Sequence, residues 1–131
     1  MIQLNSDHIL FLVMAARWTL LLSLIAFIGG TLTGLPIALL RSSSIPFLRL
    51  ISAGYVQLIQ GTPLLILIFL SYFGLGILGL KLAPLVAAGL ALTLYASAFL
   101  GEIWRGCIEA VPRPQWEASD CLGLSLLQQY I

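Results

Sequence analysis

The residues able to do acid–base, nucleophilic or metal chemistry are few and unevenly placed. Glu102, Arg105 and Glu109 fall at i, i+3 and i+7, which sets them on one helical face as an ion-pair ladder. Glu117 and Asp120 share a face further on. His8 stands far from Cys107 and Cys121, which form no CxxC pair, so a zinc site is not expected. The cysteines read as small apolar fillers in a reducing compartment. No Ser-His-Asp or Cys-His set can be assembled, and no GxxxxGK[ST] loop is present to cradle a nucleotide phosphate. The chain is therefore not expected to be an enzyme, and no cofactor or metal is expected on it. Thr93, Tyr95 and Ser97 are polar members of an otherwise apolar run. They either line a path or bond to their own helix backbone.

These residues sit in a chain that is 60% hydrophobic and 8% charged, with a mean hydropathy of +1.08. So few charges cannot coat a soluble domain, and the fold class expected is an all-α integral membrane protein in contact with lipid. The net charge of +1 is too small to imply a nucleic-acid partner. The tail over residues 1–8 is polar and not basic, and the apolar stretch after it is too long for a signal-peptide core.

Charges divide the chain. Residues 18–40 carry none, and a first span is placed at 14–40. Arg41, Ser42, Ser43, Ser44 and Pro46 make a polar break. Residues 50–80 are again uncharged but are interrupted by Gly61, Thr62 and Pro63. Thr62 suits an N-cap and Pro63 a first helical residue, which starts a second span over 63–80 after an interfacial or tilted lead-in helix over 47–60. A single helix kinked at Pro63 is the competing arrangement. Gly74, Gly76 and Gly79 end that span, Lys81 and Pro84 mark a turn, and a third span rich in small residues follows at 82–104. Gly30 and Gly34 form a GxxxG on the first span, which lets another helix approach closely. Pro36 is expected to bend that helix near its end. The segment over 109–131 is water-facing, with a helix ending at Gly123 and a short helix after it. Arg41, Arg49, Arg105 and Arg113 flank the break and the C-terminal segment, whereas the intervening turn carries only Lys81. Positive-inside bias therefore places the break and the C-terminal segment in the cytoplasm, with the N-terminus outside and Arg17 snorkelling at the outer interface.

Three stretches then fall in a telling order. Gln60-Gly61-Thr62-Pro63-Leu64-Leu65, followed by Tyr72-Phe73-Gly74-Leu75, is similar to the Arg-Gly-Thr-Pro-Leu-Leu signature of polar-amino-acid permeases. Ala98-Phe99-Leu100-Gly101-Glu102-Ile103-Trp104-Arg105-Gly106 resembles their Glu-x-x-Arg-Gly approach, and Glu117-Ala118-Ser119 with Gly123 resembles their EAA loop. Jointly the chain resembles the transmembrane permease subunit of an ABC importer for polar amino acids. The resemblance implies a five-helix permease fold, of which the spans above are part, in a bacterial cytoplasmic (inner) membrane. It implies that Glu117, Ala118, Ser119 and Gly123 couple to ABC ATPase subunits that bind the ATP, and that Gly61, Thr62 and Pro63 shape the second span. Its implied partners are those ATPases, a periplasmic or external amino-acid-binding protein, a second permease chain and membrane lipid. Gln60 departs from the family's arginine, Ser119 from its second alanine, and Pro114 from its glycine. The family pattern also runs on past Ile131 with an Ile-x-Leu-Pro element and two more spans, so the residues here correspond to its front part. A non-transporting scaffold or truncated permease product is the alternative.

Overall fold

The computed structural model describes the backbone of residues 6–129, and side chains from Leu10 onward except those of residues 126 and 127. The tail over residues 1–5, the side chain of His8 and the last two residues of the expected 109–131 segment lie outside the described residues. Every element among the described residues is helical. The first, α1 (Ser6–Arg41), is 36 residues long. It rises about 54 Å, well beyond a hydrocarbon core of about 30 Å, and so extends past the span expected at 14–40. Pro36 lies inside it and cannot donate to the carbonyl one turn back. Near its N-terminal end the Arg17 guanidinium sits 5.3 Å from the Trp18 ring centroid, as suits a pair anchored at a membrane interface.

Helix α2 (Pro46–Gln60) starts on a proline, which needs no hydrogen-bond acceptor there. It is followed by α3 (Leu64–Phe69), a π-helical turn (Leu70–Gly74) and α4 (Leu75–Ile77). The two segments meet at 100° across Gly61, Thr62 and Pro63. That angle favours the new helix over the kinked one. The capping expectation needs correction, however. The Thr62 hydroxyl donates 2.7 Å back to the Leu58 carbonyl, so it closes α2 and does not cap α3. Pro63, extended at φ −55° and ψ 136°, precedes the first helical residue and is not that residue itself. The second segment also ends at Ile77, short of residue 80. Gly79 there adopts φ +88°, with Leu80 N donating to Leu75 O and Gly79 N to Gly76 O, a Schellman stop that needs glycine.

Helix α5 (Pro84–Glu109) packs along α1. A side chain added at Gly29 would meet Thr93 at 2.7 Å, one at Gly30 would meet Ala96 Cβ at 2.6 Å, and one at Gly34 would meet Ser97 O at 2.9 Å. Gly89 and Gly101 answer from α5, against Ile25 and Ile37. These pairs ascend together along both helices, so α1 and α5 run parallel. The chain between them must therefore return across the full depth of the pair. The stretch from α3 to α4 rises only about 21 Å, so the oblique α2 must supply the rest. By length and composition α1 and α5 are each long and apolar enough to cross a membrane, and the bent pair passes the same test when taken as one broken span.

The buried centre is made of small residues, Ala38, Ala87, Ala91 and Ala98, with Val56, Ile59 and Leu67. Large side chains point outward instead, Leu32 being 71% exposed and Leu50 72%. Water would not tolerate that surface; lipid and further helices do, and there packing through small residues replaces the hydrophobic drive. Beyond α5, α6 (Arg113–Cys121) and α7 (Leu126–Gln129) form a bent pair.

Candidate functional site

Two regions gather the polar side chains. The first is the C-terminal bent pair. Pro114 occupies the first turn of α6, where its missing N–H leaves no carbonyl unpaired. Helix α6 stops in a second Schellman motif: Gly123 takes φ +69°, Leu124 N donates to Ser119 O at 3.2 Å, and Gly123 N to Asp120 O at 2.9 Å. Ser125 then opens α7, its backbone N–H held 3.0 Å from the Gln128 carboxamide oxygen in half of a capping box. Gln129 reaches back to Asp120 at 2.7 Å and fixes the angle between the two helices. Of the expected coupling residues, Glu117, Ala118 and Gly123 are exposed. Ser119 is half-buried, its hydroxyl donating 2.7 Å to the Trp116 carbonyl. Glu117 and Ala118 thus stand on the exposed face of a bent elbow.

The second region is the Arg41 end of the helical bundle. The ladder over Glu102, Arg105 and Glu109 forms: Arg105 Nε donates 2.8 Å to Glu102, and its other arm pairs with Glu109. Sequence spacing missed the second helix in this group. Arg41, the last residue of α1, places Nε 3.1 Å from Glu102 Oε2 and Nη2 3.4 Å from Oε1. Glu102 is therefore shared between two guanidiniums from two helices. A signal was present, because Arg41 and Glu102 both end apolar runs on the arginine-bearing side. Next to this cluster, Ser42, Ile108, Glu109, Val111, Arg113 and Trp116 line an open groove of about 310 Å³ between the break after α1 and the start of α6.

The remaining expected residues lie deeper. Gly30 and Gly34 are buried against α5, as helix packing requires, and Gly29 and Gly101 belong to the same seam although the GxxxG pattern did not include them. Gly61 makes a tight exit from α2, where an added Cβ would lie 2.9 Å from Gln57 O. Thr93 and Ser97, one turn apart, share the face of α5 turned to α1, and Tyr95 does not. Thr93 covers Gly29, while Tyr95 stacks on Phe99 at 4.6 Å. Ser97 is 0% exposed, its hydroxyl donating to Leu94 O at 2.7 Å and meeting Tyr55 Oη at 2.7 Å. The Ser97 hydroxyl thus bonds its own helix backbone, the second of the two expected arrangements, and links α5 to α2. Among the described residues no group of His, Cys, Asp and Glu is placed to hold a metal ion.

Residues 30–131 match the family described as the binding-protein-dependent transport system inner membrane component. The chain belongs to that family. It is similar to the probable amino-acid ABC transporter permease protein YckA of Bacillus subtilis (strain 168), 35% identical over 118 residues that cover 90% of this chain and 52% of the relative. It is also similar to the probable glutamine ABC transporter permease protein GlnM of the same organism, 38% identical over 110 residues, 84% of this chain and 51% of that one. A solved structure titled as the crystal structure of an amino acid ABC transporter with histidines superposes with a TM-score of 0.74 at 35% identity. That match covers 92% of this chain and 59% of the solved one. This member of the family thus spans about half the length of the relatives it matches. The residues matched by the family, 30–131, include Gly61-Thr62-Pro63, the α1–α5 seam from Gly30 onward and the elbow at Gly123.

Proposed function

We propose that this chain works as a transmembrane permease subunit of an ATP-driven importer that carries polar amino acids across the bacterial cytoplasmic membrane. The observation that carries the proposal is family membership across residues 30–131, joined to relatives whose names specify amino-acid permeases. In this scheme an external binding protein delivers the amino acid at the Lys81 end. Two permease chains enclose the path, and Tyr95 and Thr93 remain candidates to line it. Separate ATPase subunits bind and hydrolyse ATP. They grip the elbow through Glu117, Ala118, Ser119 and Gly123, and switch the helices between outward-facing and inward-facing states through contacts made in one state only. The N-terminus lies outside and the elbow in the cytoplasm, as the arginine distribution favours.

The test is uptake by the complete transporter containing this chain, reconstituted in proteoliposomes with ATP and offered a panel of labelled amino acids. Accumulation of a polar amino acid that needs both ATP and the binding protein is expected. Gly123→Pro should abolish it, because proline cannot adopt φ +69°. Uptake unaltered by Gly123→Pro would sink the coupling role of the elbow.

A further inference from the structure

We propose that Arg41 and Glu102 are positioning residues whose ion pair makes the Arg41 end of α1 follow α5 when the elbow moves. The inference rests on the transport function proposed above and concerns how motion reaches α1. Helix α5 is continuous to Glu109, and only Ala110, Val111 and Pro112 separate it from α6. The ladder over Glu102, Arg105 and Glu109 stiffens its last two turns. A displacement of α6 is thus handed directly to α5. Helix α1 has no such covalent route, since α2 and α3 intervene.

What α1 does have is packing, and that changes character along its length. Through Gly29, Gly30 and Gly34 the backbones touch α5 closely, down to Gly101 and Ile37. One turn further on, Arg41 is joined to α5 by the Glu102 pair. Beyond it Ser42, Glu109, Val111, Arg113 and Trp116 line the open groove. The ion pair lies beside this groove and joins the Arg41 end of α1 to α5 there. Its charged atoms are withdrawn from solvent, and Arg41 and Glu102 keep only 17% and 29% of their side-chain surface. One arm is a hydrogen bond from Nη2 to Oε1 at 3.4 Å and the other a charge contact from Nε to Oε2 at 3.1 Å, so the link depends on the two-armed guanidinium. A tether of this kind moves two helix ends together.

The experiment is a double-mutant cycle on the complete transporter in proteoliposomes, with Arg41→Gln, Glu102→Gln and the pair combined. The readout is ATP hydrolysed per amino acid imported, with assembly of the complex measured alongside. Each single variant is expected to assemble and to raise that ratio at least threefold, with the double variant within twofold of the singles because they break one link. A wild-type ratio in the assembled variants, or single effects that multiply in the double, would overturn the inference. Should the glutamine variants fail to assemble, Arg41→Lys keeps the charge but loses the two-armed contact. An assembled Arg41→Lys complex with a raised ratio supports the tether, and one with a wild-type ratio reduces the pair to assembly and overturns it. Absence of ATP-driven uptake in the wild-type complex would overturn the transport function itself, and the inference with it; uptake with unchanged ratios would overturn the inference alone.

Discussion

Tyr55 Oη and Ser97 Oγ stand 2.7 Å apart, and the same phenol lies 3.3 Å from the Leu94 carbonyl. This pair joins the oblique α2 to α5 at a point where α5 is otherwise alanine-rich. Tyr55→Phe is expected to lower the thermal stability of the purified protein in detergent slightly, since a polar contact between membrane helices is worth about 0.6 kcal/mol. Ser97→Ala should cost less after Tyr55→Phe than before it. Melting curves of the two single variants and the double variant measure that coupling, and strictly additive effects would contradict it.

The α1–α5 seam makes a sharper prediction. Gly30→Leu must push the helices apart, because even a Cβ there would lie 2.6 Å from Ala96. Overpacking of this sort costs about 1–3 kcal/mol, and loss of monodisperse protein on size-exclusion chromatography is expected. Gly54→Ala is the control. Its Cβ would meet nothing within 4 Å, and alanine favours the helix.

At the elbow the constraint is conformational, since a Cβ at Gly123 also meets nothing within 4 Å. Strain at φ +69° is then the whole penalty. Gly123→Asn should retain most of the ATP-driven uptake of the complete transporter, and Gly123→Val should lose much more, because asparagine visits the left-handed region and a β-branched residue does not. Equal uptake in the two variants would show that the Schellman stop is dispensable.

The bend between α2 and α3 depends on Gly61 and Pro63. Gly61→Ala forces its Cβ to within 2.9 Å of Gln57 O unless the backbone shifts. Spin labels at the exposed Leu58 and Ile66 should report a longer or broader distance in Gly61→Ala than in the parent. An unchanged distance would mean that the 100° angle is held by α5 and not by the link.

The two exposed cysteines give a direct check on orientation. In sealed right-side-out vesicles an impermeant maleimide should spare Cys121 and label it only after permeabilisation. Labelling of Cys121 in intact vesicles would invert the proposed topology.

Local features were legible in the sequence. The Gly61-Thr62-Pro63 break, the stop at Gly123, the close-approach role of Gly30 and Gly34, and the ladder over Glu102, Arg105 and Glu109 all follow from neighbours a few residues away. Features set by pairing of distant helices were not. Arg41 meets Glu102 only because α1 and α5 run parallel in one register, which neither helix encodes alone. A bond from Ser97 to its own helix backbone could be read from the sequence, but its Tyr55 partner could not. Thr62 misled for a subtler reason: a threonine before proline can serve the helix behind it as readily as the one ahead, and the Leu58 carbonyl won. The π-helical turn over Leu70–Gly74 carried no sequence mark that we recognise.

Parallel packing of α1 and α5 has a consequence for biosynthesis. A ribosome releases α1 into the membrane long before α5 is made, and the intervening α2–α4 stretch must thread back first. During that interval the Gly29, Gly30 and Gly34 furrow is an open berth, and any helix with an alanine-lined edge could occupy it. The nascent chain therefore passes through a stage vulnerable to mispairing, most of all with the α1 of another newly made copy. Arrival of Ala96, Ser97 and Gly101 closes that window, so the translation speed of residues 42–101 should govern the yield of correctly folded protein.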